Sequence, residues 1–197
     1  MSRWGKKKKS KPRYKKCQSC KDGVCKTCKG TNQVRIVKGR SKGATFERDV
    51  AAQVTLWTGM KFTRTPMSGG WSKTGDITPK DPAHMVIFPF NMELKNQEAW
   101  TISALMKIDD KGKFAKKIEG WWKQCTDDAK KSNRVPLLLM TKANEQVFLM
   151  LRTTEFKKLG LHREIRSSIK CGKRRIVLWE EFISVPYKEI VKRLKGK

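Results

Sequence analysis

Residues 85–97 read MVIFPFNMELKNQ, an apolar run that carries an acid and a lysine, Glu93 and Lys95, two positions apart. Side chains in a strand alternate with a period of two, so both charges share one face while Met92 and Leu94 point to the other. Burial of Val, Ile, Phe, Met and Leu stabilises such a strand. Two opposite charges side by side add little to it. The segment from His84 to Asn96 therefore reads as one long strand, bent at Pro89, and the acid–lysine pair asks for a separate reason.

The same spacing recurs at Asp109/Lys111, Asp128/Lys130 and Glu155/Lys157. The first falls in a polar loop and the others in predicted helices, where residues i and i+2 do not face each other. Only Glu93/Lys95 sits in a predicted strand, and alone it reads as a solvent-facing pair on a sheet edge. Asp76, in TGDIT, shifts that weighing. It opens a short strand joined by the turn PKDPA to the strand of Glu93, and antiparallel pairing of the two would bring the carboxylates together. Two adjacent carboxylates repel, and one pKa rises unless a cation lies between them. Oxygen donors of this kind suit Mg²⁺. A neighbouring ammonium could orient an attacking water and neutralise charge on a phosphate in the transition state. These residue types together point to metal-dependent phosphodiester hydrolysis.

Composition points to the same partner. The 197 residues hold 46 Lys+Arg against 18 Asp+Glu, a formal charge of +28. So large a charge is self-repulsive in a compact chain unless a polyanion neutralises it, and nucleic acid is the obvious one. No amphipathic basic helix, lipidation motif or long apolar run favours a membrane. The N-terminal MSRWGKKKKSKPRYKK lacks the apolar core of a secretory signal. The expected location is a reducing cytoplasm, with a nucleus reached through the basic tail as the lesser alternative.

Residues 1–42 hold sixteen Lys+Arg and one acid, Asp22, or +15 of the total. Residues 1–38 read as a basic arm, with Lys6, Lys7, Lys8 and Lys9 as phosphate contacts. Within it CQSCKDGVCKTC places Cys17, Cys20, Cys25 and Cys28 as two C-x2-C knuckles. Each knuckle can present two thiolates to one tetrahedral metal, so zinc is the first reading. The four-residue spacer is short for a zinc ribbon, which leaves an iron–sulfur cluster or a metal-free reduced arm as alternatives. Cys125 reads as core, and Cys171 as part of a basic loop.

Beyond Gly43 the texture is that of a folded α/β domain. ATFERDVAAQVTLWTG sets Phe46, Val50, Val54 and Trp57 at helical spacing, with Gly59 as its stop. MKFTRT alternates like a strand, and MSGGWSKTG is a glycine-rich loop. KKIEGWWKQCTDDAKKSN carries Ile118, Trp121, Trp122, Cys125 and Ala129 on one helical stripe. VPLLLMT and QVFLMLR read as a hairpin with a buried face. A short helix near TTEFKKLG, a strand at RIVLWEEF and a last helix complete the chain. The element order predicts a mixed central sheet flanked by helices.

Gly75-Asp76 followed by Glu93-Leu94-Lys95 resembles the PD-(D/E)xK nuclease signature, with Gly75 where proline is usual. The order KGRSKGATFERDV, strand, RTPMSGGWSKTGDI, MELKN and a helix near IEGWWKQ resembles the archaeal-type Holliday junction resolvases and their phage relatives, over roughly residues 39–152. The resemblance implies a restriction-endonuclease-like core at 39–155, with 156–197 as an extension packing on it. It implies Asp76 and Glu93 as Mg²⁺ (or Mn²⁺) ligands, with the Leu94 carbonyl as a third oxygen. Glu47 would complete the metal site directly or through water, and Lys95 would assist the attacking water. Ser68 matches a loop serine of the family's site, with Ser72 as the alternative. Gln124 matches a polar helix position facing the site, although a solvated position beside the Trp121/Trp122 stripe explains it equally. Arg40, Lys42, Arg64 and Lys73 would contact DNA phosphates. The leading reading is a homodimer nicking four-way DNA junctions in pairs, a task that suits two-fold symmetry. Another nuclease of this fold, acting on flaps, ends or specific sites, and a non-catalytic basic nucleic-acid-binding protein remain as alternatives.

Overall fold

The structure, a computed structural model, describes residues 13–16, 33–36, 39–65, 75–98, 100, 113–142 and 145–196. The chain divides into two compact units, residues 1–42 and 43–197. In the first, β1 (Arg13–Lys16) and β2 (Gln33–Ile36) form an antiparallel hairpin in which Tyr14 stands opposite Arg35. The four arm cysteines, Lys6, Lys7, Lys8 and Lys9 lie outside the described residues.

The larger unit is built on a five-stranded mixed sheet in the order β5-β6-β7-β9-β8. These are Phe90–Asn96, Val135–Thr141, Phe148–Arg152, Arg174–Leu178 and Ile169–Cys171, taken across the sheet. β5 and β6 are parallel and all other neighbours antiparallel. Helices cover both faces, as expected of a restriction-endonuclease-like α/β core. Residues 156–197, read from sequence as an extension, supply β8 and β9 to the sheet itself.

Each face has its own core. On one, Phe46, Val50, Ala51 and Val54 of α1 (Gly39–Thr58) pack with Met92 and Leu94 and with Phe156, Phe182 and Ile190 from the tail. Gly59, at φ 74°, ends α1 in the left-handed conformation, its N–H donating to the Thr55 carbonyl. On the other face, Ile118, Trp121, Trp122 and Cys125 of α3 (Lys113–Lys131) pack with Trp100, Leu138, Met140, Met150 and Ile176. β5 is thus buried on both sides.

Four elements differ from the sequence reading. His84–Ile87 is not strand but part of α2 (Pro82–Ile87). Asp81 caps it, its Oδ1 accepting from Ala83 N at 2.9 Å, and Pro82 fits the first helical position, where no N–H is needed. Helix gives way at Phe88 because a residue preceding proline is pushed toward extended backbone. Val86 and Ile87 are exposed rather than core. In the tail, Trp179–Ser184 is a helix following β9, and Cys171 is a buried residue of β8 rather than of a loop. Last, β4 (Ile77–Pro79) pairs antiparallel with β3 (Phe62–Arg64), not with β5.

Candidate active site

Asp76 reaches Glu93 by a different route from an antiparallel pairing. Gly75 forms a parallel bridge with Met92, and Asp76 N donates to the Met92 carbonyl at 2.8 Å. The Asp76 carboxylate then swings over β5, where its Oδ2 accepts from Leu94 N at 2.8 Å. Gly75 makes this approach possible. Its φ is +79°, and a Cβ there would lie 2.5 Å from the Met92 carbonyl oxygen. Proline, locked near φ −65°, could not adopt that conformation, which accounts for glycine where the signature usually has proline.

The period of two holds along β5: Asn91, Glu93 and Lys95 share the face opposite Met92 and Leu94. Glu93 is 2% exposed, so the pair is not a solvated edge feature. Lys95 Nζ is bonded to Glu93 Oε1 and lies 3.3 Å from Gln124 Oε1 on α3. Gln124 therefore faces the site rather than bulk solvent alone.

Electrostatics mark the same two acids. The Asp76 carboxyl is pushed from an ordinary 3.8 up to about 7, first by burial and then by the Glu93 charge, against the Leu94 N–H and the Lys95 ammonium. Burial also raises Glu93, opposed by the charge and hydrogen bond of Lys95. Neither shift helps the fold. Each records a charge held where water cannot solvate it.

Other expected participants are placed less tightly. Glu47 is paired with Arg64 Nε, although its charge still reaches both acids. Among the described residues no group of three or more His, Cys, Asp or Glu is assembled to hold a metal ion. The convergent carboxylates are thus Asp76 and Glu93, and Glu47 stands back with its arginine. Arg64 is 39% exposed at its side chain and oriented by Glu47. Lys42 is half-buried and engaged in an interaction of its own. Ser68, Ser72, Lys73 and the side chain of Arg40 lie outside the described residues. His84 and His162 sit in α2 and in a short 3-10 turn, and neither joins the site.

Asn91 escaped the sequence reading. It is fully buried, its Nδ2 donates to the Cys125 carbonyl at 3.4 Å, and its Oδ1 has no hydrogen-bond partner among the described residues. It ties β5 to α3 directly beneath the acids. The signal was present in the same alternation that exposed Glu93 and Lys95, because Asn91 is the next residue back on their face.

No helix among the described residues is long and apolar enough to cross a membrane. No curated protein and no solved structure matches the chain. The family model described as phage putative PDDEXK endonuclease matches residues 38–192, which span Asp76, Glu93, Lys95 and both halves of the sheet but not the four arm cysteines. The chain belongs to this PDDEXK endonuclease family, a family of phosphodiester-hydrolysing nucleases.

Proposed function

We propose that the chain is a Mg²⁺- or Mn²⁺-dependent endodeoxyribonuclease selective for branched DNA, acting on four-way junctions as a homodimer. The observation that carries this reading is the burial of Asp76 and Glu93 together, with Asp76 drawn to about 7 and Lys95 bonded to Glu93. The donor set fits a hard divalent ion: two repelling carboxylates, one already anchored by Leu94 N–H so that its second oxygen is free to turn toward a ligand. Asp76, Glu93 and the Leu94 carbonyl would hold the ion. When bound, it would supply Lewis-acid stabilisation of the charge that builds on the phosphoryl oxygens.

The remaining work falls to the chain's own groups. Lys95, fixed between Glu93 and Gln124, sits where it can orient the attacking water and offset negative charge as the phosphate is approached. Arg64, held by Glu47, presents a partly exposed guanidinium to a phosphate near the scissile bond. The overall +28 charge gives sequence-independent affinity through the backbone, so selectivity would come from DNA shape and from two-fold pairing of sites.

Incubation with a synthetic immobile four-way junction, a flap and a linear duplex tests the reading. Paired, symmetric nicks in the junction with Mg²⁺ and none with Ca²⁺ are expected. Equal cutting of flap or duplex would move the protein to a general nuclease, and binding without cutting under any divalent ion would remove the enzyme. For the arm, the spacing of Cys17, Cys20, Cys25 and Cys28 supports a four-thiolate zinc site. Elemental analysis of purified protein should give about one zinc per chain, and iron with a visible charge-transfer band would replace zinc by a cluster.

A further inference from the structure

A second concave site lies on the α3 face of the sheet, at the far end from Glu93. The recess has a volume of about 500 Å³ and is lined by Trp122, Arg152, Thr153, Lys170, Lys173 and Arg174, among others. That volume is in the range of small-ligand pockets. Trp122 forms part of an apolar wall, and the Arg174 guanidinium lies over its ring at 5.6 Å from the centroid. Arg174 also forks onto Glu119, and Arg152 pairs with Glu155, so these two cations are already answered by acids. Lys170 and Lys173 are exposed and make no ion pair among the described residues. Thr153 Oγ1 is buried and has no hydrogen-bond partner among the described residues.

An apolar wall and two unanswered cations on the rim match the base and the phosphate of a nucleotide. We propose that the recess is a DNA subsite for an unpaired nucleotide, with the base against the Arg174 guanidinium that lies over Trp122 and the phosphate on Lys170 and Lys173. Duplex phosphates could sit on the rim lysines, but a base reaches a recess only when it has left the stack. The position suits the same strand that meets the acids. β9 is three strands from β5, roughly 14 Å at a spacing of ~4.8 Å, a span that a few nucleotides of unpaired strand cover. The proposal rests on the nuclease reading only in taking the polyanion to be DNA. It adds that unpaired nucleotides near the cut are bound directly.

Full-length protein in Ca²⁺ is titrated with fluorescent oligo(dT) and with a blunt duplex of equal length. The pocket pair Lys170→Ser/Lys173→Ser is set against an equal charge change on the exposed Lys188 and Lys192 of the last helix, Lys188→Ser/Lys192→Ser. The pocket pair should weaken oligo(dT) binding about tenfold more than duplex binding, whereas the control pair weakens both alike. Equal losses on both ligands for both pairs would overturn the subsite and leave only general charge. Because binding is read without cleavage, a preserved oligo(dT) preference with no Mg²⁺-dependent cutting would sink the nuclease reading alone. Intact cutting with no preference would sink this inference alone.

Discussion

Strands β5 and β6 run side by side, parallel and in register, with Glu93 opposite Leu138 and Lys95 opposite Met140. All four side chains look toward α3, and Leu138 and Met140 are fully buried in its core. On β6 burial needs no further account, since transfer of apolar surface from water stabilises the fold. One strand away the same burial removes a carboxylate from water and places it beside a second one, which opposes folding. Lys95 and the Leu94 N–H offset part of that cost, yet both acids remain pushed toward their protonated forms. A sheet that could be apolar throughout, as β6 demonstrates, is charged at one edge. The difference separates what holds this protein together from what it does.

Exchanging single residues across that boundary should give opposite results, and this is the largest expected effect. Asp76→Asn keeps an acceptor for Leu94 N–H and leaves the Glu93–Lys95 pair intact while removing one buried charge. It should cut junction cleavage by about 10³-fold, hold or tighten junction binding, and raise stability in chelator at pH 8. Glu93→Gln should lose cleavage to a similar degree. Leu138→Ala should do the reverse, lowering unfolding free energy by about 2–5 kcal/mol in a denaturant titration while the remaining folded protein still cuts. A stability loss in Asp76→Asn as large as that of Leu138→Ala would make the acids structural.

Gly75 offers a smaller and sharper probe, because it joins the two regimes. Gly75→Ala would press a Cβ against Met92 O at 2.5 Å, Asn91 Oδ1 at 2.8 Å and Met92 N at 2.9 Å, two of them backbone atoms that cannot turn aside. With φ at +79° the backbone is also strained for any L side chain. The bridge should loosen and carry Asp76 away from Leu94 N–H. A stability cost of about 1–3 kcal/mol and a loss of cleavage beyond tenfold are expected, and a crystal structure of the variant would show the Asp76–Leu94 hydrogen bond lengthened or lost. Unchanged cleavage would mean that Asp76 does not depend on this route to β5.

The two regimes were unequally legible in the sequence. Long periodic elements were: the stripe on α3, the core-facing residues of α1 and the β6–β7 hairpin follow from spacing, because burial on one face imposes period. Glu93 and Lys95 stood out for the converse reason, as polar residues at a period of two in an apolar run. Helix α2 was misread because Val86, Ile87 and the following Phe88 are β-formers in composition, while the local signal, Asp81-Pro82, was a cap and first-turn proline. β8 is three residues long and too short to show any alternation. The nearness of Asp76 to Glu93 was anticipated, but its parallel geometry was not, since a one-residue bridge through a left-handed glycine leaves no periodic trace. Glu47 was expected to complete the metal site directly or through water, and its pairing with Arg64 is a tertiary choice that helix spacing cannot foretell.

The smallest expected effect is also the one that reads the buried charge most directly. Asp76 titrates near 3.8 in an unfolded chain and near 7 in the folded one, so between those values the native state holds more protons than the unfolded state. Stability from this group is therefore greatest at low pH and falls as pH rises from about 4 to about 7, with the raised Glu93 adding in the same direction. Other groups titrate as well, and the difference between wild type and Asp76→Asn isolates this one. In chelator, thermal melts of the two should converge near pH 4 and separate as pH rises, with wild type lower by a few degrees at pH 8. Mg²⁺ should narrow the gap at pH 8 and leave it unchanged at pH 4, because only the ionised carboxylate binds a hard cation. Leu138→Ala, by contrast, should lie below wild type by a similar margin at every pH, since an apolar cavity has no proton to exchange. Parallel curves for Asp76→Asn as well would mean that position 76 is tolerated like any other core residue, and the edge of the sheet would lose its distinction from the centre.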